Sequence, residues 1–379
     1  MTAGYRAEAG ALDAEILSAI AQRSVEDFDD LALRIFAHQL RYNKPYSQYC
    51  ERLGVTLQAM PERWDGIPPV PAAAFKEAIL TTFDPARAQL TFRTSGTTAS
   101  SSGRHYMETA ALYDAALLAG FHDRFLRNSN GTFRYLFMVP NPAENPHSSL
   151  GYMMKRVAAT YGEVAAEWFV EGDSIDIARF VHTVRGLQAA RAPVCLGATA
   201  FSLARLLEAL PERGFDRFEL PAGSVVMETG GFKGRTRTVA RAELYAAIEQ
   251  MLGVPQDSIV SEYGMTELSS QYYDAPLPSI PQGPSIPQDD KPIPQDDKLK
   301  VAAPWLRSYA VDFDGKKVPD GIVGALVHVD LANRSSCIAV LTEDLGAVVD
   351  GGIVLIGREH GTELRGCSLD AESLRVASR

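Results

Sequence analysis

From residue 133 to residue 262 the chain alternates apolar runs with helical stretches, and that rhythm leaves few folds open to it. The runs FRYLFMV (133–139), PVCLGA (193–198) and SVVMET (224–229) are apolar at consecutive positions, as strands buried on both faces are. Longer stretches of helical pattern, such as 174–191 and 238–252, separate them. The expectation is α/β: a largely parallel sheet with flanking helices. Upstream, residues 11 to 40 read as two helices, with Ser24 and Asp27 as a capping pair and Phe28, Leu31, Ile35 and Leu40 at helical spacing. Downstream, ALVHVD (325–330), CIAVLT (337–342) and IVLIG (353–357) are short strands between Gly and Asp turns, a smaller β-rich portion. Between these parts lies SIPQGPSIPQDDKPIPQDDKLK (279–300), in which the heptad IPQDDKP recurs nearly intact as IPQDDKL. Its proline and aspartate content supports neither a helix nor a ladder, so it reads as a mobile surface insertion, with a polyproline docking motif as the alternative. The expected division is an N-terminal helical cap (1–80), an α/β core (81–275), the Pro/Asp-rich insertion (276–300) and a β-rich subdomain with a short C-terminal tail (301–379).

Charge and cysteine usage narrow the function classes. The formal net charge is -10, from 37 basic and 47 acidic residues, with no basic block, so a nucleic-acid backbone would bind against the mean field. Cys50, Cys195, Cys337 and Cys367 are scattered without a C-x-x-C pair, which argues against a zinc site or a disulfide framework and fits a reducing cytoplasm. The first thirty residues are acidic and helical in pattern, unlike a signal peptide, and no stretch reaches the ~18 apolar residues of a membrane span.

Four short segments carry chemistry. Thr94, Ser95, Gly96, Thr97 and Thr98, followed by a serine run and Arg104, would let hydroxyls and backbone N–H groups converge on a polyphosphate, although serine-rich loops are common. Glu228-Thr229-Gly230-Gly231-Phe232-Lys233 follows an apolar strand, and Gly230 and Gly231 would let a flat ligand lie against bare backbone; a plain turn explains one glycine better than two. Glu262-Tyr263-Gly264-Met265-Thr266-Glu267 sets a ring, a hydroxyl and a carboxylate within a few positions. That set suits an adenine face, an α-phosphate and Mg²⁺, the alternative being a turn that ends in a surface glutamate. Thr342-Glu343-Asp344-Leu345-Gly346, then Gly357-Arg358, offers a carboxylate for ribose hydroxyls and an arginine for that carboxylate or for phosphate, or else two solvated turn charges.

The order of these segments resembles the adenylate-forming superfamily of acyl-CoA ligases, peptide-synthetase adenylation domains and firefly-type luciferases. Ser148-Ser149-Leu150-Gly151-Tyr152-Met153, ETGGFKGR (228–235), EYGMTELSSQYYD (262–274) and APWLRSY (303–309) are similar to the LuxE-type acyl-protein synthetases and their phenylacetate-ligase-like relatives, from about residue 85 onward. The resemblance implies that Thr94, Ser95, Gly96, Thr97 and Thr98 hold the ATP phosphates, that Gly230, Gly231 and Tyr263 frame adenine, and that Thr266 touches the α-phosphate. It further implies Mg²⁺ on Glu267 and ribose on Asp344, within a core (81–275) that binds ATP and the acyl group. His147 either sits by the substrate carboxylate or is an ordinary loop histidine.

Two features depart from larger superfamily members. By resemblance those members end in a lid domain with a charge-stabilising lysine; here the last lysine is Lys317, so a truncated lid is expected and Arg104, Lys233, Arg358 and Mg²⁺ would carry the phosphate charge. Cys367, in LRGCSLD, stands where LuxE-type enzymes place an acyl-accepting cysteine, and Arg365 nearby would favour its thiolate; an idle cysteine is the alternative. Cys195 and Cys337, in apolar runs, are expected to be packed and inert.

The resulting expectation is a ligase that uses ATP and Mg²⁺ to activate a carboxylic, on the resemblance fatty, acid as acyl-adenylate and passes it to Cys367 and then to a partner protein. Coenzyme A, a reductase or a carrier protein are the other acceptors in view. The rivals are an acyl- or aryl-CoA ligase of the phenylacetate type and a non-catalytic subunit that binds nucleotide or acyl group.

Overall fold

The alternating runs of the central sequence build a parallel sheet. The computed structural model describes residues 2–94, 102–127, 132–172, 174–230, 240–275 and 298–358, and these divide into two compact units. The first takes residues 1–119, 265–272 and 280–379, the second residues 120–264 and 273–279. Among the described residues no helix is long and apolar enough to cross a membrane.

In the second unit, strand Arg134–Pro140 pairs in parallel with Glu167–Glu171 on one side and Val194–Thr199 on the other. Val225–Thr229 and then Ile259–Tyr263 extend the sheet in parallel, and Ser174–Ile175 closes the far edge antiparallel to Glu167–Glu171. Strand interiors are buried throughout, which is why their sequences are apolar without alternation. Helices Ser149–Tyr161, Ile177–Ala190, Ala200–Glu212 and Arg241–Leu252 connect them. Three start on side-chain caps, with the Ser148, Asp176 and Thr199 oxygens accepting from the N–H groups of Gly151, Arg179 and Ser202. Asp176 corrects the expected helix at 174–191, whose first residues form the edge strand instead. The chain leaves Arg134–Pro140 toward one edge, then crosses back to build the other, so strand order reverses between Arg134–Pro140 and Val194–Thr199. Open α/β sheets bind ligands at the carboxyl ends of strands beside such a reversal.

One face of this sheet packs Leu136, Met138, Leu196 and Val226 against the apolar stripes of three helices. On the other face the Phe137 ring lies against Trp168, centroids 4.7 Å apart, and crosses Val194–Thr199 at Gly197. A Cβ on Gly197 would stand 2.8 Å from Phe137 Cδ1 and 3.0 Å from Met154 Cε, so ring packing requires the glycine.

The first unit is an antiparallel meander, Leu306–Val311, Gly324–Asp330, Ala339–Val349 and Gly352–Arg358. Val70–Pro71 lies parallel to Ala339–Val349, with Val70 opposite Val340. Helices Ala3–Gln22, Phe28–Tyr42 and Lys44–Arg52 share its core: Leu31, Ile35 and Phe36 pack with Trp305, Val327, Val329 and Val340. The N-terminal helices and the β-rich portion are thus one packed body. Asp27 caps the second helix by accepting from Asp30 N–H at 3.0 Å. Ser24, expected to pair with Asp27, instead closes the preceding helix by donating its N–H to Ala19 O at 3.1 Å, after Arg23 turns left-handed at φ 56°. Buried polar groups tie the body together. Gln39 donates to the carbonyls of Asn333 and Arg334 and accepts from Ile338 N–H, and buried Arg334 holds Asp13 through two bonds of 2.7 and 2.8 Å and Glu108 at 3.0 Å.

Candidate functional site

Strand Leu90–Arg93 pairs antiparallel with Arg104–Met107, Arg93 opposite Arg104, and Thr94, the first residue of the segment expected to bind phosphate, follows the first of these strands. Thr94 closes this hairpin twice: its N–H donates to Gly103 O at 3.0 Å, and its hydroxyl accepts from Gly103 N–H at 2.8 Å. Arg104 is exposed on the outgoing strand. Ser95, Gly96, Thr97 and Thr98 lie outside the described residues, as do Gly231, Lys233, Cys367 and residues 276–297 of the insertion expected at 276–300; the end of that insertion is not the mobile segment expected, because Lys300 is buried in the strand Lys300–Val301, opposite Ile353. The next residue of the hairpin, His105, is 1% exposed and reaches Thr266, its Nδ1 lying 2.8 Å from the Thr266 carbonyl. Because a carbonyl only accepts, Nδ1 carries the proton. Burial pushes this imidazole down to about 4, against the pull of the carbonyl bond.

In the second unit, Gly230 and Tyr263 stand at the carboxyl ends of neighbouring parallel strands, where Thr229 pairs with Glu262 in register. Thr229 Oγ1 donates to the buried Glu262 carboxylate. Gly230 has φ 64° with open space around its Cβ position, so the left-handed turn rather than crowding demands glycine. His147 lies in the loop after Arg134–Pro140, beside the cap residue Ser148, at the carboxyl end of a strand flanking the reversal.

The E-Y-G-M-T-E motif passes from one unit to the other. Tyr263 and Gly264 belong to the second; Met265, Thr266 and Glu267 belong to the first. Glu267 is buried, with 6% exposed, and its carbonyl accepts from Asn333 Nδ2 at 2.9 Å. Also in the first unit, Asp344 and Arg358 are opposite positions in the antiparallel register of Ala339–Val349 and Gly352–Arg358. Asp344 is buried, and its N–H donates to Thr342 Oγ1 at 3.1 Å, while that hydroxyl donates to Leu326 O at 3.0 Å.

His105, Asp330 and Asn333 were missed in the sequence. Asp330 ends the strand run ALVHVD; its burial and its bonds to Ser269 and Ser270 appear only in the fold. Burial pushes Cys50 and Cys195 up to about 12 and raises Cys337 well above the ordinary thiol value, so these three thiols are held protonated. Among the described residues no three His, Cys, Asp or Glu side chains gather as a metal cage. Mg²⁺ takes one or two carboxylates and completes its shell with substrate phosphate and water, so a site for it does not require such a cage.

No family model and no curated protein matches the sequence. Solved structures match in fold. A 2-hydroxyisobutyryl-CoA ligase in complex with its acyl-AMP and CoA superposes with TM-score 0.58 at 14% identity, covering 94% of this chain and 69% of that one. The McyG A-PCP protein complexed with phenylalanyl-adenylate gives TM-score 0.50 at 16% identity, covering 73% of this chain and 48% of that one. The chain spans about half the length of that structure. It has the α/β fold of adenylate-forming enzymes, with a smaller β-rich portion.

Proposed function

We propose that this protein activates a carboxylic acid with ATP and transfers the acyl group to a thiol. The observation that carries the reading is the placement of the motifs within this fold. Thr94 bonds Gly103 across the hairpin, Gly230 and Tyr263 stand at the ends of neighbouring parallel strands, and Asp344 is opposite Arg358 in the antiparallel register. In the proposed reaction a carboxylate oxygen attacks the α-phosphorus in line, forming the acyl–phosphate bond and releasing pyrophosphate. A thiolate then attacks the acyl carbon, forming the thioester and releasing AMP. Holding the reactants in line is the main contribution asked of the chain.

Thr94 to Thr98 would bind the β- and γ-phosphates, with Arg104, Lys233 and Arg358 facing the negative charge. Gly230, Gly231 and Tyr263 would frame adenine, Thr266 would hold the α-phosphate, and Asp344 would accept from the ribose hydroxyls. His147, at the strand-order reversal, would orient the acid. Glu267 would hold Mg²⁺, which when bound neutralises polyphosphate charge. In the finer reading, after the LuxE-type resemblance, the acid is fatty and Cys367 takes the acyl group before a partner protein does.

ATP–pyrophosphate exchange across a panel of carboxylic acids tests the first step, and intact mass of the wild type and Cys367→Ser tests the second. Acid-dependent exchange is expected, with an acyl adduct on the wild type that the serine variant lacks. Exchange without an adduct moves the acceptor to coenzyme A or a carrier protein; no exchange with any acid overturns adenylation.

A further inference from the structure

Immediately after Tyr263 the chain runs through 264–271 without helix or strand, yet most of that stretch is buried. Buried irregular backbone must find its hydrogen bonds elsewhere. In the first unit, side chains from three distant segments supply them. His105 donates to Thr266 O at 2.8 Å, and Asn333 Nδ2 donates to Glu267 O at 2.9 Å. Asn333 Oδ1 accepts from the Ser269 hydroxyl at 2.7 Å. Asp330 Oδ2 accepts from the N–H groups of Ser269 and Ser270 at 2.9 and 2.8 Å, and its Oδ1 accepts from the Ser270 hydroxyl at 2.9 Å. Trp305 Nε1 donates to that same hydroxyl at 3.1 Å. His105, Asp330 and Asn333 are each at most 1% exposed.

We infer that His105 and Asn333, braced by Asp330, are positioning residues that fix the Thr266–Glu267 main chain for Mg²⁺ and nucleotide. The inference rests on the adenylation reading of Thr266 and Glu267. An ionised carboxylate stripped of water is costly: burial pushes Asp330 up to about 6 despite these three donors from Ser269 and Ser270 and a fourth, the Ala332 N–H at 3.0 Å. Apolar side chains of similar volume would hold a core at least as well. What a directional polar cluster adds is one backbone path, set carbonyl by carbonyl. His105 also leaves the phosphate-loop hairpin directly, so the loop that would hold phosphate and the segment that would hold metal share a strut 161 residues apart in sequence.

The test compares His105→Phe, His105→Asn and Asn333→Ala with the full-length wild type. The amide nitrogen of asparagine falls where His Nδ1 stands, so His105→Asn keeps the donor. Equilibrium binding of ATP is measured with and without Mg²⁺, and hydrogen exchange is followed in peptides covering 265–272. Outer-sphere partners of a metal ligand typically contribute about 10–100-fold in affinity. His105→Phe and Asn333→Ala are expected to lose about that much of the Mg²⁺-dependent gain in ATP affinity and to exchange faster at 265–272. His105→Asn should restore most of both. Faster exchange with Mg²⁺-dependent affinity unchanged overturns the proposal, because the cluster is then only packing; unchanged exchange overturns it too. A wild type that binds no nucleotide overturns the adenylation reading and this inference together, whereas a wild type that binds alongside variants that bind equally overturns this inference alone.

Discussion

His38 is fully buried between the rings of Tyr5 and Tyr42, 5.2 and 4.9 Å away, and burial, then the charges of Arg334 and Arg41, push its imidazole down to about 3. Burial also takes His105 and His328 down to about 4. Each is neutral when folded and would gain a proton below pH ~6.5 when unfolded. The unfolded state therefore binds more protons between ~6.5 and these values, and the stability these groups contribute above ~6.5 is lost as pH falls. Asp330, raised to about 6, works the other way: its ionised form is disfavoured in the fold, and protonation below 6 relieves that cost. From these four groups alone, lowering pH from about 7.5 to about 5.5 should cost roughly 3 kcal/mol of unfolding free energy. Urea denaturation at the two pH values checks it; equal stabilities would contradict the burial of the histidines. Residues of this kind were hard to read from sequence. Thr94, Tyr263, Asp344 and Arg358 stand out in the sequence because they lie in short local patterns. His105 and Asn333 act through partners 161 and 66 residues away, and no local pattern records such a bond.

Strands buried on both faces leave a plain trace in sequence, and the runs at 133–139, 193–198 and 224–229 lie within a residue of the observed Arg134–Pro140, Val194–Thr199 and Val225–Thr229. Ends are decided by single hydrogen bonds, which is why the helix start near 174 and the role of Ser24 differ from expectation. Nor does the alternation of runs reveal strand order, since the crossing back to Val194–Thr199 depends on which faces the helices cover. Gly197 shows what packing adds. Gly197→Ala would drive its Cβ into Phe137 and Met154, and overpacking of this kind costs about 1–3 kcal/mol. The urea midpoint should fall with its slope unchanged; an unshifted midpoint would mean that the Phe137 ring moves aside freely.

At the scale of the molecule, what the sequence hid is that chain order and packing order differ. The expected cap at 1–80 and β-rich portion from 301 share one core, while residues 120–264 belong to the second unit. The repeated IPQDDK segment has a composition that favours neither helix nor sheet, so excising one copy, residues 286–292, should leave acid-dependent exchange and thermal stability unchanged. Loss of exchange in that variant would show that the repeat's length serves the chemistry. The clasp of Gln39 on Asn333, 294 residues further along, has a consequence for biosynthesis. At translation rates of about 5–20 residues per second, the apolar stripe of Phe28–Tyr42 waits about 15–60 s for the strands that will cover it. The nascent chain must therefore carry an unsatisfied hydrophobic helix past a unit completed earlier, which makes elongation speed and chaperone access determinants of how much protein reaches the native state.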